Sequence, residues 1–123
     1  MLKVAKPSFA NHQMFVKEWS ERYAVASCYN GLKIGGGGFT LPRLRLYECA
    51  NKANSIEEFM DKTLPYYVDL QLKEMDDRIR FLVEESNFFK SNFLVKEGFI
   101  NLDNFTGMFG MVGLAESVNQ LLN

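Results

Sequence analysis

The sequence predicts a mixed α/β fold in which strands pack on one long helix. Two patterns carry that expectation. In "FTLPRLRLYECA", Phe39 to Ala50, Leu44 and Leu46 alternate with Arg43 and Arg45, as in a strand with one buried face. Between Ile56 and Glu85, Val68, Leu72, Met75, Ile79 and Leu82 recur at spacings of four, three, four and three, which places them on one face of a helix.

The elements follow in chain order. "FANHQMFVKEWSERY" reads as a short helix with Phe15, Val16 and Trp19 on one face, and His12, the one histidine, on its surface. "YAVASCY" reads as a buried strand over about Ala24–Tyr29, closed by the turn signal Asn30-Gly31. A second strand is expected over Phe39–Tyr47, with Pro42 tolerable only near its start, at an edge or at a bulge. Cys49 then falls near the strand's end as a small structural hydrophobe. Ser55 and Glu58 form a capping-box pattern at the start of the long helix, where each side chain can satisfy an orphan backbone donor. Pro65 is expected to kink or split that helix, because it lacks a donor and crowds the preceding turn. "EESNFFKSNFLVKEGFINLDN" is less regular and fits either a loop or a short strand. "FTGMFGMVGLAESVNQLL" reads as an extended, glycine-spaced segment running into a helix that carries Leu114, Val118, Leu121 and Leu122.

Composition narrows the function classes. A chain of 123 residues is one domain at most, and 47% hydrophobic with 14% aromatic residues supplies a packed core. With 14 basic and 15 acidic side chains, nothing draws the chain to nucleic acid or an anionic membrane. No apolar run approaches the roughly 18 residues of a membrane span, and the N-terminal residues lack the apolar region of a signal peptide. Cys28 and Cys49 do not make a disulfide framework, so a reducing cytoplasm is expected. One histidine leaves too few ligands for a zinc site.

Several motifs admit a chemical and a plain reading. Gly35, Gly36, Gly37 and Gly38 suggest an anion cradle built from backbone donors. No Gly-Lys-Ser/Thr follows them, however, and a strand rather than a helix comes next, so a flexible connection or a close backbone approach is the better reading. The pairs Glu57-Glu58, Asp76-Asp77 and Glu84-Glu85 lie among lysines and arginines on helices, as solvated faces do. Gly107, Gly110 and Gly113 read as contact points for a neighbouring element. Cys28 has no base or cation beside it in sequence to make a thiolate, which argues against Cys-His hydrolysis.

The order of "ASCYNGLKIGGGGFTLPRLRL", a long helix from Ile56 to Glu85 and "FTGMFGMVGLAESVN" resembles the catalytic-cysteine region of glycyl radical enzymes. YjjI-type members are the nearer likeness and anaerobic ribonucleotide reductases the more distant one. The matching positions are Cys28, the glycines, Leu41-Pro42-Arg43, and Gly110 through Gly113-Leu114 to Glu116. The resemblance implies a piece of an α/β barrel centred on Cys28 as the carrier of a thiyl radical, with Asn30 and Thr40 lining the pocket of a small organic substrate. It implies a glycyl radical installed by an activating enzyme that uses S-adenosylmethionine and an iron–sulfur cluster, hence an anaerobic habitat. The Arg-Val-x-Gly-Tyr-like loop of such enzymes does not occur in the 123 residues, so an internal fragment, inactive alone, is expected. Its partners would be the remainder of the barrel and the activating enzyme, and the isolated piece should self-associate. Thr40 stands where the reductases have asparagine, and Asn30 where the diol dehydratases and decarboxylases have glutamate, which leaves the substrate open. The rival expectation is a non-catalytic domain binding a small anion through Gly35–Gly38 with Arg43 or Arg45.

Overall fold

The structure, a computed structural model, describes residues 10–25 and 31–122. They divide between two units, one of Met1–Gly38 and Lys90–Thr106, the other of Phe39–Phe89 and Gly107–Asn123.

In the first unit, α1 (His12–Trp19) starts at Asn11, whose side-chain oxygen accepts the Met14 N–H at 3.2 Å. Phe15, Val16 and Trp19 form its half-buried face, as the sequence predicts. β1 (Tyr23–Val25) and β2 (Gly31–Lys33) pair antiparallel, with Val25 opposite Gly31. The buried strand expected over Ala24–Tyr29 differs. Its described part stops at Val25, and both Ala24 and Val25, which point to opposite faces of the strand, are exposed, so pairing with β2 alone buries neither side chain. The rest of that expected strand lies outside the described residues.

Further along, the segment expected as loop or short strand contains helical turns: α5 (Phe88–Ser91), α6 (Phe93–Lys96) and a 3₁₀ turn at Leu102–Asn104. The reason is local capping. The Asn92 side chain accepts the Leu94 N–H at 2.9 Å, and Gly98, at φ +75°, closes α6. The Gly98 N–H reaches the Val95 carbonyl at 3.0 Å and the Phe99 N–H reaches the Leu94 carbonyl at 2.9 Å, the pair of bonds that makes a Schellman stop.

The second unit holds the core. β4 (Arg43–Arg45) runs parallel to β6 (Gly110–Val112), Leu44 opposite Met111, and between them the chain passes through the long helix. β3 (Gly37–Thr40) pairs with β5 (Phe105–Gly107), so the described strands form three two-stranded ladders and no closed barrel. Of the two expected strands, the described part of the first pairs with β2, and the two pieces of the second, β3 and β4, pair with β5 and β6. Phe39–Tyr47 is not one strand. Leu41 and Pro42 separate β3 from β4, because proline has no N–H for a ladder, although its carbonyl accepts the Gly110 N–H at 3.0 Å.

From Leu46 the chain is helical, α2 (Leu46–Ala50). Cys49 thus sits in a helix rather than at a strand's end, and it is buried as expected. Leu44, Leu46, Cys49, Ala50 and Phe59 form the buried cluster, with Val68, Phe109 and Leu121 against it.

The long helix forms over the predicted range, but Pro65 does not split it. α3 (Ile56–Glu58), a π turn at Phe59–Thr63, α4 (Leu64–Arg80) and a second π turn at Phe81–Glu85 follow without interruption. In the first π turn the Leu64 N–H bonds the Phe59 carbonyl five residues back, so the hydrogen-bond register changes just where the donor-less ring enters. The capping box is half as predicted. Ser55 Oγ accepts the Glu58 N–H at 3.1 Å, while Glu58 Oε2 takes the Asn54 backbone and side-chain N–H groups, both at 2.9 Å, in place of Ser55's own. α7 (Leu114–Leu122) closes the unit behind Gly113, whose φ of +80° is left-handed.

Candidate functional site

Cys28 and Asn30 lie outside the described residues, while what holds the two ends of their segment is described. β1 and β2 bring Val25 and Gly31 face to face, and Cys28 is the middle one of the five residues linking them. The base of this pair rests on α1. A Cβ on Gly31 would run into the Trp19 and Phe15 rings, so only a glycine lets the aromatic pair lie on the β2 backbone. Phe15 stacks on Trp19 with centroids 5.5 Å apart and tilts against Tyr23 at 5.0 Å. The Tyr23 hydroxyl lies 2.6 Å from His12 Nδ1, which ties the start of α1 to β1. Gly31 reads in sequence as half of a turn signal, and its contact with Trp19 is legible only in three dimensions.

The four glycines sit against the 3₁₀ segment of the first unit. The Gly36 N–H donates to the Lys33 carbonyl at 3.1 Å, closing a turn in which Gly35 takes φ +81°. The Gly35 carbonyl accepts the Asn101 N–H at 2.8 Å, and a Cβ on Gly36 would collide with the Asn104 carbonyl. A Cβ on Gly37 would lie 3.0 Å from the Phe105 ring, and Gly38 is exposed within β3. At Gly36 the Asn104 backbone approaches too closely for a side chain, and at Gly37 the Phe105 ring would have to give by a few tenths of an ångström, the close approach that one reading of this run expects.

Thr40 ends β3 half-buried, its carbonyl accepting the Met108 N–H at 3.0 Å. Arg43 and Arg45 project from β4, both exposed. Arg43 lies beside Gly110, where a Cβ would be 3.1 Å from its Cγ, and Arg45 is 3.9 Å from Glu48. The glycine run ends the first stretch of one unit and the arginines belong to the other.

Gly107 faces Ile79 and Met75 of α4, where a Cβ would be 3.2 Å from Ile79 Cδ1, so helix–strand contact is its role. The acidic pairs behave as solvated faces where partners are seen, with Asp77 2.7 Å from Arg80. Among the described residues no group of three or more His, Cys, Asp or Glu is placed to hold a metal ion, and no helix is long and apolar enough to cross a membrane.

The surroundings of Cys49 favour its thiol form over the thiolate. Burial pushes the Cys49 thiol above its ordinary range, Glu48 adds to the rise and Lys52 opposes it, so the thiol stays protonated and inert at neutral pH.

A model of the YjjI-like glycyl radical enzyme family matches residues 1–123, the whole chain. The chain belongs to that family. An uncharacterized protein of Haemophilus influenzae is 52% identical over 121 residues, covering 98% of this chain and 24% of the relative. The uncharacterized protein YjjI of Escherichia coli is 46% identical over 118 residues, 95% of this chain and 23% of the relative. The chain thus spans about a quarter of the length of the curated relatives it matches. No solved structure matches it.

Proposed function

We propose that this chain is the catalytic-cysteine portion of a longer glycyl radical enzyme, in which Cys28 carries a thiyl radical and acts on a small organic substrate. The observation that carries the reading is the match of the YjjI-like family across all 123 residues, together with "ASCYNG" at Cys28, the other cysteine, Cys49, being buried in α2. The nine glycines include none in an Arg-Val-x-Gly-Tyr sequence. Those whose surroundings are described serve turns and close contacts. The radical-bearing glycine is therefore assigned to the part of the longer protein beyond this match.

A glycyl radical supplies a carbon centre able to take a hydrogen atom from a thiol. The chain's own contribution is Cys28. Its S–H bond breaks homolytically, the thiyl then takes hydrogen from a substrate C–H bond, and the S–H is restored in the same step. Such a thiol needs positioning and shelter from water and oxygen rather than a neighbouring base. The aromatic support of Phe15 and Trp19 under Gly31 fits a requirement for rigid placement. Asn30 and Thr40 are the proposed pocket-lining groups. An activating enzyme using S-adenosylmethionine and an iron–sulfur cluster would generate the radical, in anaerobic cytoplasm.

The test needs no known substrate. In the full-length protein, activated under anaerobic conditions, the glycyl α-hydrogen splitting in electron paramagnetic resonance should collapse in D₂O, because the exchangeable thiol hydrogen passes to the glycine. With Cys28→Ser the radical should form but keep its splitting, since a serine O–H is too strong for a glycyl radical to break. Exchange that continues in Cys28→Ser refutes the assignment.

A further inference from the structure

A cavity of about 600 Å³ lies wholly within the first unit. Two cations line it, Arg22 just ahead of β1 and Lys33 at the end of β2, and among the described residues neither makes an ion pair. Glu18 is the one carboxylate in the lining, and it pairs with neither, so the lining carries a net positive charge. Hydrogen bonds fix the walls. The Ile34 N–H reaches the Arg22 carbonyl at 3.1 Å, the Asn101 N–H the Gly35 carbonyl at 2.8 Å, and Asn104 Nδ2 the Ile34 carbonyl at 3.3 Å. Asn101 spends its side-chain oxygen on the Asp103 N–H at 3.0 Å, which leaves its amide hydrogens to donate. Ser20 in the same wall has φ 59° and ψ −164°, a conformation nearly confined to glycine, and strain of that kind gathers where a site is being held in shape.

We infer that this cavity binds a small organic anion, a carboxylate or a phosphate monoester, whose oxygens meet Arg22 and Lys33 together. A guanidinium offers paired N–H donors to two oxygens of one such group, and an ammonium adds a second charge. Two like charges lining one recess repel each other, and an anion between them turns that repulsion into attraction. The Asn101 amide supplies a neutral donor, and Trp19 an apolar surface for the ligand's carbon skeleton. The volume is that of a metabolite-sized site, and the mostly polar lining suits a charged occupant. Gly35, which the sequence offers as part of an anion cradle, does line this cavity, but its companions are Arg22 and Lys33, whereas Arg43 and Arg45 belong to the other unit. The inference goes beyond the Cys28 chemistry and makes no use of it.

Calorimetric titration of the full-length protein, with no radical installed, tests it with inorganic phosphate and, separately, succinate at constant ionic strength. At least one probe should bind saturably at one site per chain, and the one that binds tells a phosphoryl ligand from a carboxylate. Arg22→Gln and Lys33→Gln should each weaken that binding about tenfold or more, the loss of a charge-assisted hydrogen bond. Glu18→Gln should tighten it about two- to threefold, because the one opposing charge is gone. Arg45→Gln, in the other unit, should leave it unchanged. Circular dichroism melts show which variants fold, and where one cationic variant does not, the other and Glu18→Gln decide. No saturable binding of either probe overturns the inference, as happens if a carboxylate of the longer protein already fills the cavity. Binding indifferent to both Arg22→Gln and Lys33→Gln, or weakened equally by Arg45→Gln, overturns it as well. None of these results touches the Cys28 exchange experiment, so the two readings fail separately.

Discussion

Gly31, at the end of β2 nearest the linker that bears Cys28, lets α1 pack directly on the strand. Adding one methyl there forces the Trp19 and Phe15 rings off the β2 backbone, and overpacking of this kind costs about 1–3 kcal/mol. Gly31→Ala should therefore lower the urea midpoint, followed by the fluorescence of Trp19, the one tryptophan. An unchanged midpoint would show that the rings yield freely. A second residue-scale effect is electrostatic. Glu58 is held below the ordinary carboxylate range by the Asn54 backbone and side-chain N–H groups, and Glu57 by its own backbone N–H and the Ser55 hydroxyl. The unfolded carboxyls bind protons at a higher pH than the folded ones, so acidification favours the unfolded chain. The contribution is present above the unfolded pKa and fades as pH falls through the folded one. Glu58→Gln should flatten this acid limb in circular dichroism melts, and a limb as steep as in the parent sequence would place the dependence elsewhere.

At the scale of elements, the start of the long helix hangs on Ser55. Ser55→Ala should cost about 1 kcal/mol in chemical denaturation, the usual worth of an N-cap oxygen, while Ser55→Asp should restore most of it. That helix and α7 were legible in the sequence because a 3.6-residue apolar spacing is itself the record of a buried face. The π turns were not, since they follow from where the register gives way around Pro65 and at the end marked by Ser86, whose N–H reaches back to the Phe81 carbonyl at 2.7 Å. α2 was misread for a different reason. Leu44 and Leu46 alternate over too few residues to separate a strand from a strand that turns into a helix, whereas Leu46, Cys49 and Ala50 already stand at helical spacing. The α6 stop was also available, as asparagine ahead of an apolar turn and glycine behind it. At the candidate site, the proposal of Cys28 rests on family resemblance and the order of motifs. The support under Gly31 was not legible in the sequence, because its partners on α1 lie twelve and sixteen positions away and carry no pattern that points to it.

At the scale of the molecule, the balance of buried and exposed apolar residues sets how the isolated chain behaves. The buried apolar residues among those described number six, all in the second unit. The same unit exposes an apolar groove between α7 and the start of the long helix, lined almost without polar atoms. Leu114 is 68% exposed there and Leu122 70%. Contiguous apolar surface of this kind drives association in water at roughly 25 cal/mol per Å² removed from solvent. Whatever covers the groove in a longer protein, none of the described residues does. Sedimentation equilibrium of the isolated chain should therefore give an apparent mass that rises with concentration, and Leu114→Glu with Leu122→Glu should return it to 14.1 kDa. The two glutamates lie on exposed helix positions, so α7 can keep its register, and circular dichroism should show its helix intact. Two results would count against the role of this face: a parent chain that stays monomeric at every concentration, and an association that survives both charges.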